Sequence, residues 1–522
     1  MVGSTMAALE QRGALKILAA APRTGFGELR RELNASAGYL NVAVRLLADQ
    51  GFVTCSGEPG TDELVVEPTA AGRVVMTGFA AGYADAAGLL ELAGRIDEII
   101  FGGGAPSAVR SLDSCIDLMR REWDLPGPAG PLRHQVQTHL DGHLLAPVMV
   151  ALTRRDALTA GADLVLDRPG LRSAAQILAW PGWVRLAGDR ARLTAEGEVA
   201  VAMARQYRYP MVYLPLLRQV PGLLFGDHPQ DAGSGAETHL DRELDISFSG
   251  DVFAAVCRTP FLDIALPLFD REPLTGQPAF VVDTGCGDGT LLAALYQAVL
   301  ARTARGRSIG EFPLLMVGVD PSQVARRVAS ERLSAAGVPH LIMDGDIADP
   351  DRLSRALAGR GLDARDALHV CKSAIHDRAF PPPVPSVPLV TSAPPASSAA
   401  FAQPDGTAIP SSQLALNLAG FFLAWRPLTG RHGWIVIEAH AAPAATVARL
   451  IGRTVATALD ATHGYSCQYP VEPAVFAWAV AAAGFRSREH AEPAASALGH
   501  TILTVDHFVS QVVGKVALGG PP

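Results

Sequence analysis

Between residues 280 and 292 the chain runs Phe-Val-Val-Asp-Thr-Gly-Cys-Gly-Asp-Gly-Thr-Leu-Leu. An apolar run, a glycine-rich stretch and a second apolar run predict a buried strand, a tight turn and the start of a helix. Gly285, Gly287 and Gly289 carry no Cβ, so the backbone can bend sharply there and a ligand can come close to it. The spacing is G-x-G-x-G, not the G-x-G-x-x-G of dinucleotide binders, and Asp283 stands just before the first glycine.

The segments that follow repeat the alternation. Strands are predicted at Ala279–Asp283, Leu314–Asp320, Leu341–Met343, Ala367–Cys371, Gly433–Glu438 and near Thr501–Val505. Helices are predicted at Thr290–Arg302, Ser322–Ala336, Arg352–Ala358, Ser412–Trp425, Ala444–Leu459 and Pro473–Ala483. Such alternation implies an α/β fold, a mostly parallel sheet with helices on both faces and a ligand at the carboxyl ends of its strands. Acidic residues stand at those ends: Asp320 closes the second strand and Asp344-Gly-Asp-Ile-Ala-Asp349 the third, while His369–Lys372 ends the fourth.

The glycine turn resembles motif I of class I S-adenosylmethionine (SAM) dependent methyltransferases, which implies a Rossmann-like class I sheet. A SAM site on these residues would seat the methionine portion on Gly285, Gly287 and Gly289, with Asp283 as carboxylate partner for its ammonium. Asp320 would accept both ribose hydroxyls, Asp346 and Ile347 would flank the adenine, and Lys372 would close the fourth strand end. Each element also has a plainer reading. The turn could be only a tight loop, and Asp320 only the N-cap of the helix after Pro321. Three acidic motifs at successive strand ends favour the cofactor.

Before residue 240 the pattern changes. Residues 1–80 read as three helices and a hairpin, a winged-helix-like unit, and 81–239 as a helical region carrying a second one. A weak repeat supports this: Leu46-Leu-Ala-Asp-Gln-Gly-Phe-Val and Thr69-Ala-Ala-Gly recur as Ile177-Leu-Ala-Trp-Pro-Gly-Trp-Val and Thr194-Ala-Glu-Gly. A DNA-reading unit should carry several basic residues on its third helix and wing. Here the helix Ser36–Gln50 offers only Arg45, and the wing holds Glu58, Asp62 and Glu63, so no nucleic-acid partner is expected. Small-molecule methyltransferases commonly dimerise through such units, and a homodimer is expected. The net charge of −8 adds no hint of a nucleic-acid or membrane partner. No apolar run approaches the roughly 18 residues that span a bilayer. Six scattered cysteines without a C-x-x-C pair fit a reducing, cytoplasmic setting. Residues 240–522 form the expected catalytic domain, interrupted at 381–411 by a loop rich in Pro, Ser and Ala, either inconsequential or a substrate lid.

Further segments widen the resemblance: Pro313-Leu-Leu-Met-Val-Gly-Val-Asp, Gly345-Asp-Ile-Ala-Asp-Pro, His376-Asp-Arg, Asp405-Gly-Thr-Ala-Ile, Ile437-Glu-Ala-His440 and His463-Gly-Tyr-Ser-Cys-Gln-Tyr469. Together, over roughly residues 240–510, they are similar to the methyltransferase domains of bacterial polyketide synthase loading modules, which C-methylate malonyl groups with a bound metal. The resemblance implies Fe(II) or Mn(II) on His440 and Gln468, with His463 and His376 nearby, polarising the substrate so that its enolate forms. Two departures stand against it: Ile375 replaces an Asp before His-Asp-Arg, and no His follows Ser247-Phe-Ser-Gly-Asp251 before His340. His440, His463 and Gln468 could equally be structural. Without a metal, His376, His463 or His440 would serve as the general base, since an unperturbed imidazole titrates near neutrality. The expected activity is SAM-dependent methylation of a small natural-product intermediate, free or carrier-tethered, at carbon next to a carbonyl or carboxyl. The alternatives are O- or N-methylation without metal, and SAM binding without transfer.

Overall fold

A computed structural model describes residues 1–86, 88–102, 106–226, 239–380, 392–493 and 500–510. The chain divides into two compact units. The first is Met1–Asp241 with Ser398–Pro410 and Pro443–Cys467; the second is Arg242–Ser397 with Ser411–Ala442 and Gln468–Pro522.

The first unit is mainly helical and holds two three-stranded antiparallel sheets. One is built from Thr24–Gly25, Val65–Pro68 and Val53–Ser56, the other from Asp163–Val165, Arg190–Leu193 and Val184–Ala187. The sequence repeat has a physical basis at their edges. Thr69 caps the helix Ala70–Gly78 by accepting from the N–H of Gly72 at 2.9 Å, and Thr194 caps Ala195–Val212 by accepting from Gly197 at 3.1 Å. A Cβ on Gly72 would lie 1.8 Å from the Phe52 carbonyl oxygen, and one on Gly197 1.9 Å from that of Trp183. Thr-x-x-Gly therefore recurs because one position must cap and the other must let a strand end pass.

The helix Ala37–Asp49 is buried along nearly its whole length. Its Arg45 is buried too, paired with Asp49 at 2.7 Å and Asp460 at 3.2 Å and donating to the Ser398 carbonyl at 2.8 Å. The expected loop at 381–411 is therefore not free over its later part: Phe401–Ala402 pairs with Ala408–Ile409, and Gly38 donates to the Gly406 carbonyl at 2.8 Å. The apolar Phe401, Ala402 and Ile409 are buried there, which outweighs the loop-forming composition. Residues 381–391 lie outside the described residues.

The second unit carries a seven-stranded sheet among the described residues. In chain order its strands are β1 Phe280–Thr284, β2 Leu315–Val319, β3 His340–Met343, β4 Ala367–Lys372, β5 Trp434–Ala439, β6 Phe485–Ala491 and β7 Leu503–Ser510. Their spatial order is β6-β7-β5-β4-β1-β2-β3, with β1 to β5 parallel and β7 antiparallel to both neighbours. Strands β1, β4 and β5 are mostly apolar without alternation because they are covered on both faces. The core joins Val281, Leu292, Leu295, Met316, Leu368, Val370, Ile435 and Ile437. The strand order reverses between β1 and β4, so the crevice at their carboxyl ends is the expected ligand position. Strand β6, absent from the sequence reading, is an edge strand exposed over most of its length. The predicted helix Ala444–Leu459 is two helices, Ala444–Arg449 and Ala456–Tyr465, separated by a turn in which Gly452 has φ 76°.

Candidate functional site

All three turn glycines sit in the left-handed region, with φ 82°, 53° and 78° at Gly285, Gly287 and Gly289. Side chains rarely adopt that conformation, yet the three differ in what surrounds them. A Cβ on Gly285 would come within 2.6 Å of the Ala374 Cβ, and one on Gly289 within 3.2 Å of the Ala329 Cα. At Gly287 the nearest atom would be the Ile246 Cβ at 4.0 Å. The outer glycines therefore serve packing, whereas the middle one borders open space.

Asp283 lies at the carboxyl end of β1, 1% exposed, and its Oδ1 is a buried oxygen without a hydrogen-bond partner among the described residues. Burial, with the neighbouring Asp320 adding to it, pushes its pKa up to about 8. Lys372 pulls the other way. Asp320 follows β2 and takes the backbone N–H of Gly287 at 3.0 Å on one oxygen and that of Ser322 at 2.9 Å on the other. It thus shapes the turn and holds Ser322, the residue that caps the helix Gln323–Ala335, and a carboxylate with two lone pairs per oxygen keeps acceptor capacity beyond these bonds. Burial raises its pKa, and the two N–H donors partly offset that.

After β3, Asp346 accepts from the Ala348 N–H at 2.8 Å, and buried Ile347 offers its carbonyl to the Trp425 indole N–H at 2.8 Å. Lys372 ends β4 and donates to Ser249 Oγ at 2.8 Å and Ser373 Oγ at 3.4 Å. Burial lowers its pKa. The register places Asp283 beside Val370 and Lys372 beside Ile437, so Asp283, Lys372 and Glu438 stand at the same end of three adjacent parallel strands. At ordinary strand spacing, β1 and β5 are about 10 Å apart.

Glu438, near the end of β5, organises the turn after β4. It accepts the His376 Nδ1–H, the Ile375 N–H at 3.2 Å and the Ala439 N–H at 2.8 Å. The Tyr469 N–H holds the His376 carbonyl at 2.7 Å. Burial alone would lower the His376 pKa, but the Glu438 charge and hydrogen bond overcome it and the net shift is upward. Glu438 shifts downward for the same reason, against its own burial. The pair is a buried imidazole–carboxylate dyad whose bond at Nδ1 fixes the tautomer with the basic lone pair on Nε2.

The other expected site residues have structural partners. His440 bonds the Val471 carbonyl through Nδ1 at 3.3 Å and Thr504 Oγ through Nε2 at 2.9 Å, tying the end of β5 to β7. Gln468 bonds the Asp377 carboxyl, whose pKa is raised to about 6, chiefly by desolvation. His463 belongs to the first unit, where its Nδ1 bonds the Leu459 carbonyl at 2.7 Å and its ring lies 5.0 Å from that of Tyr209. No group of three or more His, Cys, Asp or Glu among the described residues is arranged to hold a metal ion. With both His440 ring nitrogens engaged, His440 and Gln468 do not fit the expected ligand pair, and no step is derived through a metal.

Two residues that carry weight here were not singled out from the sequence. Glu438 lay inside the quoted Glu-Ala-His segment, and the signal was an acid at the end of the apolar run Trp434-Ile-Val-Ile. Asp288 accepts from the Thr290 N–H at 3.0 Å and from Arg332 at 2.8 Å, so it holds the helix after the turn.

The residues fit SAM: among the described residues Asp283 Oδ1 is a buried carboxylate oxygen without a hydrogen-bond partner, which suits a cation, and a Cβ on left-handed Gly287 would meet nothing nearer than 4.0 Å. Fold and site define a SAM-dependent methyltransferase with a Rossmann-like class I sheet. The chain belongs to the AprA MT2-like family, whose domain model matches residues 237–502, just over half of the sequence. An AprA N-terminal domain model matches residues 1–55. No curated protein matches the sequence.

Solved structures similar to it include an O-methyltransferase family protein from Burkholderia thailandensis, at 12% identity and TM-score 0.42, covering 74% of this chain and 100% of that one. The CurJ carbon methyltransferase is similar at 12% identity and TM-score 0.34, covering 80% and 99%. The O-methyltransferase NcsB1 of neocarzinostatin biosynthesis, solved with S-adenosyl-L-homocysteine and 1,4-dihydroxy-2-naphthoic acid, is similar at 16% identity and TM-score 0.40, covering 71% and 96%. Among the described residues no helix is long and apolar enough to cross a membrane.

Proposed function

We propose that this methyltransferase acts on a small natural-product intermediate, and that His376 removes a proton from the acceptor, at carbon next to a carbonyl or carboxyl group. The observation that carries the reading is the buried His376–Glu438 dyad, seated two strands from Asp283 at the carboxyl end of the sheet. Bound SAM supplies an electrophilic methyl group, so the protein's own task is to align the acceptor and take up its proton. Glu438 orients the ring and stabilises the imidazolium that forms, which strengthens His376 as a base. The choice of carbon over oxygen is supported by the likeness of the His376–Arg378, Ile437–His440 and His463–Tyr469 segments to C-methylating domains. The acceptor is free or carrier-tethered, and the helical N-terminal unit is read as a homodimerisation element.

The test is a panel of β-keto and malonyl thioesters alongside phenols, with S-adenosylhomocysteine release as readout and mass spectrometry to place the methyl group. Turnover of the carbon acids, lost in His376→Asn, is the expected result. Turnover of phenols alone would replace carbon with oxygen as the acceptor. Full activity of His376→Asn would remove the base.

A further inference from the structure

Asp283 Oδ1 is buried without a hydrogen-bond donor among the described residues, and the groups facing it come from three elements. From the end of β2 comes Asp320, whose oxygens take the Gly287 and Ser322 N–H groups and which itself faces Arg242 and Arg326. From the turn come Asp288, bound to Arg332 and Thr290, and the thiol of Cys286. From β4 come the buried thiol of Cys371 and Lys372, whose Nζ donates to Ser249 and Ser373. None of these hydrogen bonds reaches Oδ1. A carboxyl buried beside a second carboxylate, with no donor on Oδ1 among the described residues, favours its neutral form. It holds a proton until another cation replaces it, and the amino-acid end of SAM brings one.

We infer that Asp283 is protonated in the free protein and releases its proton to solvent when the cofactor's ammonium takes that place, so that cofactor loading is proton-coupled and Lys372 sets the strength of the coupling. The exchange balances simply: the O–H bond of Asp283 breaks, its electron pair stays on the carboxylate, the proton passes to buffer, and no bond of the cofactor changes. The inference rests on the cofactor site and is independent of the acceptor. The upward displacement of the Asp283 carboxyl to about 8, relieved in part by Lys372, agrees with it.

Calorimetric titration with S-adenosylhomocysteine tests it, because that ligand keeps the ammonium and transfers no methyl group. At pH 7, heats compared in phosphate and Tris should report about one proton released per ligand bound, and affinity should rise about tenfold per pH unit between pH 6 and 7.5. In Lys372→Met the release should persist to higher pH, since a favourable charge is lost. Asp283→Asn should bind weakly, with affinity flat in pH and heats alike in both buffers. 5′-Methylthioadenosine, which lacks the amino-acid end, should release no proton from the wild-type protein. Tight binding of S-adenosylhomocysteine with equal heats in both buffers would overturn the coupling while leaving the cofactor site intact. No binding at all would overturn both.

Discussion

Replacing Asp283 with asparagine should make the free protein more stable and less able to load its cofactor. The folded protein holds this carboxyl at about 8, against 3.8 for an ordinary aspartate, chiefly because burial penalises its charge. The unfolded chain is ionised above pH 4, so folding must take up a proton, and stability falls as pH rises toward 8. At 1.36 kcal/mol per pH unit, the cost is about 2 kcal/mol at pH 5.5 and about 5 kcal/mol at pH 8. Asparagine keeps the shape and cannot ionise, so it removes this cost. For a unit of this size the gain at pH 8 corresponds to a shift in melting temperature on the order of 10 °C. Thermal melts of the wild type and Asp283→Asn, both without cofactor, at pH 5.5 and pH 8 measure the gap. It should widen with pH. A gap that stays constant, or a variant that is less stable at pH 8, would refute the buried, unpartnered carboxyl.

His376→Asn should lower methyl transfer about 10²–10⁴-fold while leaving S-adenosylhomocysteine affinity unchanged by calorimetry. Because the neutral imidazole is the active base and Glu438 raises its pKa, the wild-type rate should climb with pH through a value above the usual 6.5. Glu438→Gln should move that rise to lower pH and reduce its plateau. Asp320→Ala should weaken S-adenosylhomocysteine about 10–100-fold, since it frees the Gly287 and Ser322 N–H groups as well as removing the ribose acceptor. Thr69→Ala and Thr194→Ala should each cost the first unit about 1 kcal/mol in denaturant melts.

The sheet was legible where its strands are buried on both faces. Phe280–Val282, Met316–Val319 and Trp434–Ile437 are unbroken apolar runs that can hardly be anything else, and their ends carry acids that an apolar strand would not otherwise keep. Strand β6 escaped notice because Arg486-Ser-Arg-Glu-His490 faces solvent and shows no alternation. The cofactor residues stood out because special backbone geometry demands glycine and because carboxylates at strand ends form a pattern along the chain. The dyad did not, because Glu438 and His376 are brought together by the sheet, across 62 positions of sequence. His440 and Gln468 matched the family pattern in residue type; only packing shows that both ring nitrogens of His440 are bonded and that Gln468 bonds Asp377.

The most direct test is a crystal structure of the protein with S-adenosylhomocysteine bound. Density should lie against Gly287, with the ammonium on Asp283, the ribose on Asp320 and the adenine beside Ile347, at the carboxyl ends of β1 to β3. Ligand density elsewhere, or an ammonium directed away from Asp283, would contradict the account.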